Sequence, residues 1–192
     1  HRIGIDDLDS YDLLTAVVDR VAAAGASRFA VHARKAWLEG LDPKQNRTVP
    51  PLQHDRVVAL KQRRPELIIE LNGGLDSPED CLKALKTCDG AMVGRAAYEH
   101  PLRWSGMDAQ VFGDTPRMVR ASDVVIGLIP HASAHLSRGG RLWDLCRHLM
   151  QLVEGVPGAR HWRRNLGEKA QRPKADLSVL EEACRQLREA GL

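Results

Sequence analysis

An α/β fold is predicted, the C-terminal part of a (β/α)8 TIM barrel followed by an all-helical domain, and three observations predict it. Short, nearly all-apolar strands alternate with helical segments through the first half of the 192-residue chain. Each predicted strand ends in polar or glycine residues. After about Asp114 the strand pattern stops and only helical periodicity remains. Alternation of this kind denotes a parallel sheet buried on both faces. Three strands cannot close a barrel, and an open three-stranded sheet leaves its edges exposed. The pattern therefore fits the last part of a barrel better than a complete domain, with a doubly wound sheet as the alternative.

The elements follow in order. Leu13, Leu14, Val17, Val18 and Val21 fall at helical spacing between a cap at Asp9 or Ser10 and a stop at Gly25. Arg28 to His32 reads as a strand. A second helix, from about Leu52 to Arg63 and closed by Pro65, leads to the strand Leu67 to Leu71 and the turn Asn72-Gly73-Gly74. Ser77 caps a third helix with Pro78 at its first position and Glu79 and Asp80 in its first turn, and the strand Ala91 to Val93 then ends in Gly94-Arg95. Beyond the strands, Val119 to Ile129 is apolar and is expected to pack on the barrel. Leu142 to Val153 and Ser178 to Ala190 read as helices, the latter with the capping-box spacing Ser178-x-x-Glu181. The domain boundary is placed between about Gly106 and Arg120, giving residues 1–112 to the half-barrel and 113–192 to the helical domain.

With 43% hydrophobic residues the chain can bury a sizeable core. It has no apolar run near the roughly 20 residues that span a bilayer, and its first residues lack the apolar core of a signal peptide, so a cytoplasmic location without membrane attachment is expected. The opening His1-Arg2-Ile3-Gly4 has no methionine and reads like the middle of an ordered unit; a fragment is expected. Cys81, Cys88, Cys146 and Cys184 form no CxxC pair and read as buried, reduced thiols rather than a zinc site or disulfide framework. Residues 1–114 hold 15 Lys and Arg against 17 Asp and Glu, and residues 115–192 hold 13 against 8. A basic C-terminal part suits a polyanion such as RNA.

In parallel α/β folds ligands bind at the C-terminal ends of strands, which here carry His32, Asn72-Gly73-Gly74 and Gly94-Arg95. Glycine lets backbone N–H groups approach an anion, and a following helix N-terminus adds its dipole, so the last two turns suit a phosphate. The bland reading is that the glycines make tight turns and His32 is a core histidine. His131 and His135, at i, i+4 spacing, could face a metal together, but no third ligand is near and no metal site is assigned.

The stretch from His32 to Arg47, beginning His-Ala-Arg-Lys-Ala-Trp, resembles the signature of the A-type tRNA-dihydrouridine synthases. Glu70-Leu71-Asn72-Gly73-Gly74, Met92 to Tyr98 and Gly158 to Arg164 match the same family in order. The resemblance implies an oxidoreductase in which NADPH reduces FMN, the flavin gives a hydride to C6 of a uracil in the tRNA D-loop, at positions 20 and 20a, and a cysteine protonates C5. It implies that His32, Asn72, Gly73, Gly74, Gly94 and Arg95 hold FMN, and that Lys44, Arg47, Arg160 and Arg163 contact the D-arm of tRNA, with DNA not expected as a partner and a monomer expected. Trp37 and Trp162 are read as packing residues. No catalytic residue is assigned: none of the four cysteines has the family's Asn-x-Gly-Cys-Pro neighbours, and the family's flavin-contacting lysine would immediately precede His1. As given, the chain is expected to be inactive. The alternatives are another FMN barrel acting on a small molecule and a truncated, non-catalytic tRNA-binding protein.

Overall fold

A computed structural model describes residues 1–192, which divide into two compact units, His1–Gly94 and Arg95–Leu192. In the first unit, helix α1 (Tyr11–Ala23) starts where the Ser10 hydroxyl accepts the Leu13 N–H at 3.1 Å, and Gly25, at φ 105°, turns the chain out of it. Strands β1 (Arg28–His32), β2 (Ile68–Asn72) and β3 (Gly90–Met92) form one parallel sheet in sequence order, linked by helices α2 (His54–Arg63) and α3 (Pro78–Ala84). Ser77 caps α3 by accepting the Asp80 N–H, with Pro78 at its first position. The α/β class and the parallel sheet are those expected.

Burial differs from the expectation of a sheet covered on both faces. Phe29, Val31, Ile69 and Leu71 are buried, while the alternating residues Ala30, His32, Glu70 and Asn72 are half-buried and Arg28 and Ile68 are exposed. With helices to cover only one face, the other is left to polar groups, and Arg28 Nε donates to Glu70 at 2.6 Å across it. On α1 the apolar stripe splits likewise: Leu14 and Val18 are buried, whereas Leu13, Val17 and Val21 stand 43%, 52% and 44% exposed.

The sheet also has a parallel neighbour that the periodicity did not reveal. Arg2 bridges His32 in parallel sense, the His32 N–H donates to His1 O at 2.8 Å, and the Ile3 N–H donates to His32 O at 3.2 Å. A bridge this short shows no alternation of apolar and polar residues to read.

The second unit contains helices α4 (Arg95–Glu99), α5 (Met107–Phe112), α6 (Ala121–Ser137), α7 (Trp143–Cys146), α8 (Ala159–Ala170) and α9 (Ser178–Glu189), and no strand. Its core joins Val125 and Ala132 of α6 to Leu166 of α8 and Leu180 and Leu187 of α9. Three expectations change here. The segment Val119 to Ile129 lies mostly in α6 and packs along α9 within the helical core, because Val125 is fully buried there. Instead of one helix, Leu142 to Val153 forms the single turn α7, a 3-10 turn and a run of turns. Ser178 is the first residue of α9 rather than its cap: its N–H and hydroxyl both donate to Asp176, at 3.0 and 2.5 Å, and these bonds hold the Asp176 carboxyl below its ordinary pKa. Helix α6 continues through Pro130, with Val125 and Ala132 buried on either side of it. The proline lacks an N–H to donate to the carbonyl four residues earlier, and packing sustains the helix across that gap. His131 is exposed and His135 pairs with Asp144 at 3.3 Å.

All four cysteines are free and buried, and burial pushes the Cys146 thiol up to about 11. No helix is long and apolar enough to cross a membrane. Leu180, fully buried between α9 and the rest of this core, sets a test. Leu180→Ala is expected to destabilise the helical unit by about 2–5 kcal/mol in chemical denaturation.

Candidate functional site

The parallel register places His32 directly opposite Asn72, and Asn72 opposite Met92. The Ala33 N–H donates to Asn72 O at 2.8 Å, and Asn72 Nδ2 donates to Met92 O at 3.2 Å, so the strand ends are stitched across the sheet. Gly73 and Gly74 then take φ values of 100° and 69°, the left-handed region open to glycine at little cost. A Cβ on Gly73 would stand 3.0 Å from His32 Cε1, so the turn lies flat against the imidazole. Its carbonyl bonds to His54 Nε2 at 2.8 Å; because a carbonyl only accepts, that nitrogen carries the proton. The same logic applies to His32. Its Nδ1 accepts the Arg34 N–H at 3.2 Å, which leaves Nε2 as the protonated nitrogen of a neutral ring.

These features meet the needs of a phosphate-bearing cofactor. Gly73 and Gly74 turn at left-handed φ, and a Cβ on Gly94 would meet nothing within 4 Å, so two glycine turns at adjacent strand ends leave exposed backbone and space for an anion. One expected contribution is missing. The N-terminus of α3 already faces its own Glu79 and Asp80, and Ser77 Oγ donates to Asp80 at 2.8 Å, so this helix end offers little to a ligand. Arg95, exposed, follows Gly94 as the first residue of α4.

Residues 33–53 form a long loop that is internally locked. Asn46 binds both backbone groups of Trp37, accepting the N–H at 2.8 Å and donating to O at 2.6 Å. Asp42 accepts the N–H groups of Lys44 and Gln45, both at 2.7 Å, and starts a 3-10 turn over Gln45–Arg47. Lys35 is bound to Asp9 at 2.8 Å and to Asp6 O at 3.1 Å and lies 5.8 Å from the Trp37 ring centre; this bond holds the Asp9 carboxyl below its ordinary pKa. Arg34 donates to Pro50 O. Of the basic residues here, Lys35 is thus committed to the loop's own structure, while Lys44 and Arg47 are exposed at its tip.

On α8, Ala159, Trp162, Leu166 and Ala170 form the buried face, and the Trp162 indole donates to Leu149 O at 3.1 Å. Trp162 is a packing anchor, as its reading proposed. Arg160 and Arg164 are exposed and Arg163 is half-buried; no carboxylate lies in the first turn to offset them. The contributions of Arg2, Asn46 and His54 were not foreseen. Each acts through a partner distant in sequence or through a backbone carbonyl, and neither leaves a mark on spacing.

The chain thus joins a parallel α/β unit with glycine turns at its strand ends to a helical unit with a cationic helix, and these features define its structural class. Comparison narrows the class. The family model for dihydrouridine synthase (Dus) matches residues 1–189, and the chain belongs to that family. It is 46% identical over 179 residues to a tRNA-dihydrouridine(20/20a) synthase of Shewanella oneidensis, covering 93% of this chain and 53% of that protein. Proteins of the same description from Vibrio cholerae and Escherichia coli K12 are each 43% identical, over 183 and 185 residues, covering 95% and 96% of this chain and 56% and 54% of theirs. The chain therefore spans about half the length of the curated relatives it matches.

The two glycine turns are expected to respond differently to a methyl group. Gly73→Ala meets the His32 ring at a left-handed φ and is expected to destabilise the fold by about 1–3 kcal/mol, whereas Gly94→Ala, facing open space, should stay within about 1 kcal/mol of wild type. Chemical denaturation measures both.

Proposed function

We propose that this chain is part of an FMN-dependent oxidoreductase that reduces the C5=C6 bond of uridines at positions 20 and 20a in the tRNA D-loop, with NADPH as reductant. The observation that carries the reading is the family match over residues 1–189, which takes in both the sheet and the helices. The names of the relatives, 43–46% identical, support the substrate and its positions.

In this reading residues 1–112 belong to a (β/α)8 barrel and residues 113–192 to an RNA-binding helical domain. The half-buried second face of the sheet and the exposed Leu13, Val17 and Val21 on α1 are what a barrel's interior and an unpaired neighbouring helix would leave uncovered. His32, Asn72, Gly73, Gly74, Gly94 and Arg95 hold FMN, with the turn N–H groups and Arg95 on its phosphate. FMN, when bound, supplies the hydride that saturates the uracil ring. The chain's own part is to bind and orient. The imidazole of His32, fixed by Arg34 N–H and the Gly73 backbone, presents Nε2–H as a donor, and the Asn72 side chain, tied to Met92 O, keeps the adjoining turn in place.

Lys44, Arg47, Arg160 and Arg163 contact the phosphates of the tRNA D-arm, and the target base leaves its stack to enter the site. No cysteine present is placed to protonate C5: all four are buried, and burial pushes three of them, Cys81, Cys88 and Cys146, upward. The acid catalyst is assigned to the part of the relatives' length that this chain does not span. The protein acts as a cytoplasmic monomer.

Two measurements on the intact cellular protein test this reading. Arg160→Ala and Arg163→Ala should each weaken tRNA binding and reduce its salt slope by about 1; unchanged slopes would remove these residues from the RNA interface. Arg95→Ala should lower FMN occupancy after dialysis, and full retention would place the phosphate elsewhere.

A further inference from the structure

Arg2 has no assigned role in cofactor or RNA binding, yet its guanidinium ties together two points, Lys35 and Asn46, of the loop that carries Lys44 and Arg47. Its Nη1 donates to Lys35 O and to Asn46 O, each at 2.9 Å. Arg2 is itself fixed to the sheet by its parallel bridge to His32, so the loop is fastened to the strand that carries the site. Within the fastened ends, Asn46 clamps Trp37 and Asp42 starts the turn that leads to Arg47. The residues between, Leu38 to Gly40 and Asp42 to Gln45, are exposed.

The arrangement runs against simple charge preference. Arg2 is partly buried, and that burial, together with the nearby charges of Arg47 and Arg34, weakens the guanidinium's hold on its proton. Two N–H groups of the single nitrogen Nη1, one directed at each carbonyl, offset that cost.

We propose that Arg2 is a positioning residue for RNA binding: by holding Lys35 and Asn46 together it keeps the tip of the loop, through the turn Gln45–Arg47, in a preformed shape, so that Lys44 and Arg47 meet tRNA phosphates without first being ordered. This rests on the reading that Lys44 and Arg47 contact tRNA. Preorganisation gives affinity by removing an ordering cost, so its loss appears as weaker binding, carried by the residues Arg2 positions.

The test is a mutant cycle in the intact cellular protein loaded with FMN, reading the Kd for unmodified tRNA. Arg2→Ala is expected to weaken binding about tenfold in the wild-type background and less than about twofold where Lys44 and Arg47 are both already alanine. Arg2→Lys, which keeps the charge but not the guanidinium's length and fixed N–H directions, should remain impaired. FMN occupancy and thermal unfolding should stay near wild type. An equal fold-loss in both backgrounds, full rescue by Arg2→Lys, or unchanged affinity would each overturn the proposal. Should Arg2→Ala not fold, Asn46→Ala releases the clamp on Trp37 from the other side and is held to the same pattern. If the Lys44→Ala, Arg47→Ala double variant binds tRNA as tightly as wild type, the RNA reading of the loop fails first and the role of Arg2 falls with it.

Discussion

The pairing of His32 with Asn72 across β1 and β2 fixes where every other group of the strand-end site can stand. In a strand successive side chains point to opposite faces, so a slip of one residue would exchange His32 and Asn72 for Val31 and Leu71. That exchange would drive an imidazole and an amide under the helices and bring two fully apolar side chains to the polar face. The hydrophobic burial of Phe29, Val31, Ile69 and Leu71 therefore sets the register, and the register sets the site. Gly73 depends on it directly: its backbone passes close against the imidazole only because no Cβ intervenes. His54, from the start of α2, fastens the Gly73 carbonyl on the other side. The glycine turn is thus held between two histidines, each with a ring nitrogen's role set by a backbone partner.

Much of this was legible in the residues because its causes are local. Ser10 and Ser77 act as caps, Pro78 sits at a first helical position and Gly25 ends a helix, all as their chemistry requires within a few residues. His32 and Asn72-Gly73-Gly74 stand out as candidates because strand ends are where parallel folds bind ligands, and a family signature points the same way. What escaped the sequence has non-local causes. The Arg2 bonds reach across 33 and 44 residues and His54 reaches across 19, and all three end on carbonyls that every residue possesses. The one-sided burial of the sheet was missed for a related reason. Nearly all-apolar strands imply two covered faces in a complete parallel fold, whereas here Ile68 stands 41% exposed.

The helical unit is where the charge pattern departs from what stability alone would select. On α9 the charge of Arg185 is consumed by Glu182 and Glu189, at 2.7 and 2.5 Å, which pushes the Glu182 carboxyl down to about 2. On α8 the opposite holds. Arg160, Arg163 and Arg164 enter none of the chain's ion pairs, and they occupy the first half of a helix whose amino end is already positive. Each cation so placed costs a few tenths of a kcal/mol, up to about 1 near the first turn.

A helix arranged in this way gains by taking up an anion from outside. The Trp162 anchor and the Leu166 and Ala170 contacts hold α8 on its core strongly enough to tolerate the unfavourable charge, leaving Arg160 and Arg164 outward. Phosphates placed against them offset both the helix dipole and the mutual repulsion, and counterion release adds to the gain. The surplus of 13 basic over 8 acidic residues in 115–192 is therefore not a diffuse property of this part of the chain. Helix α9, with two arginines against three glutamates, contributes none of it, and what stands unpaired on α8 is a surface whose electrostatic cost an external polyanion would relieve.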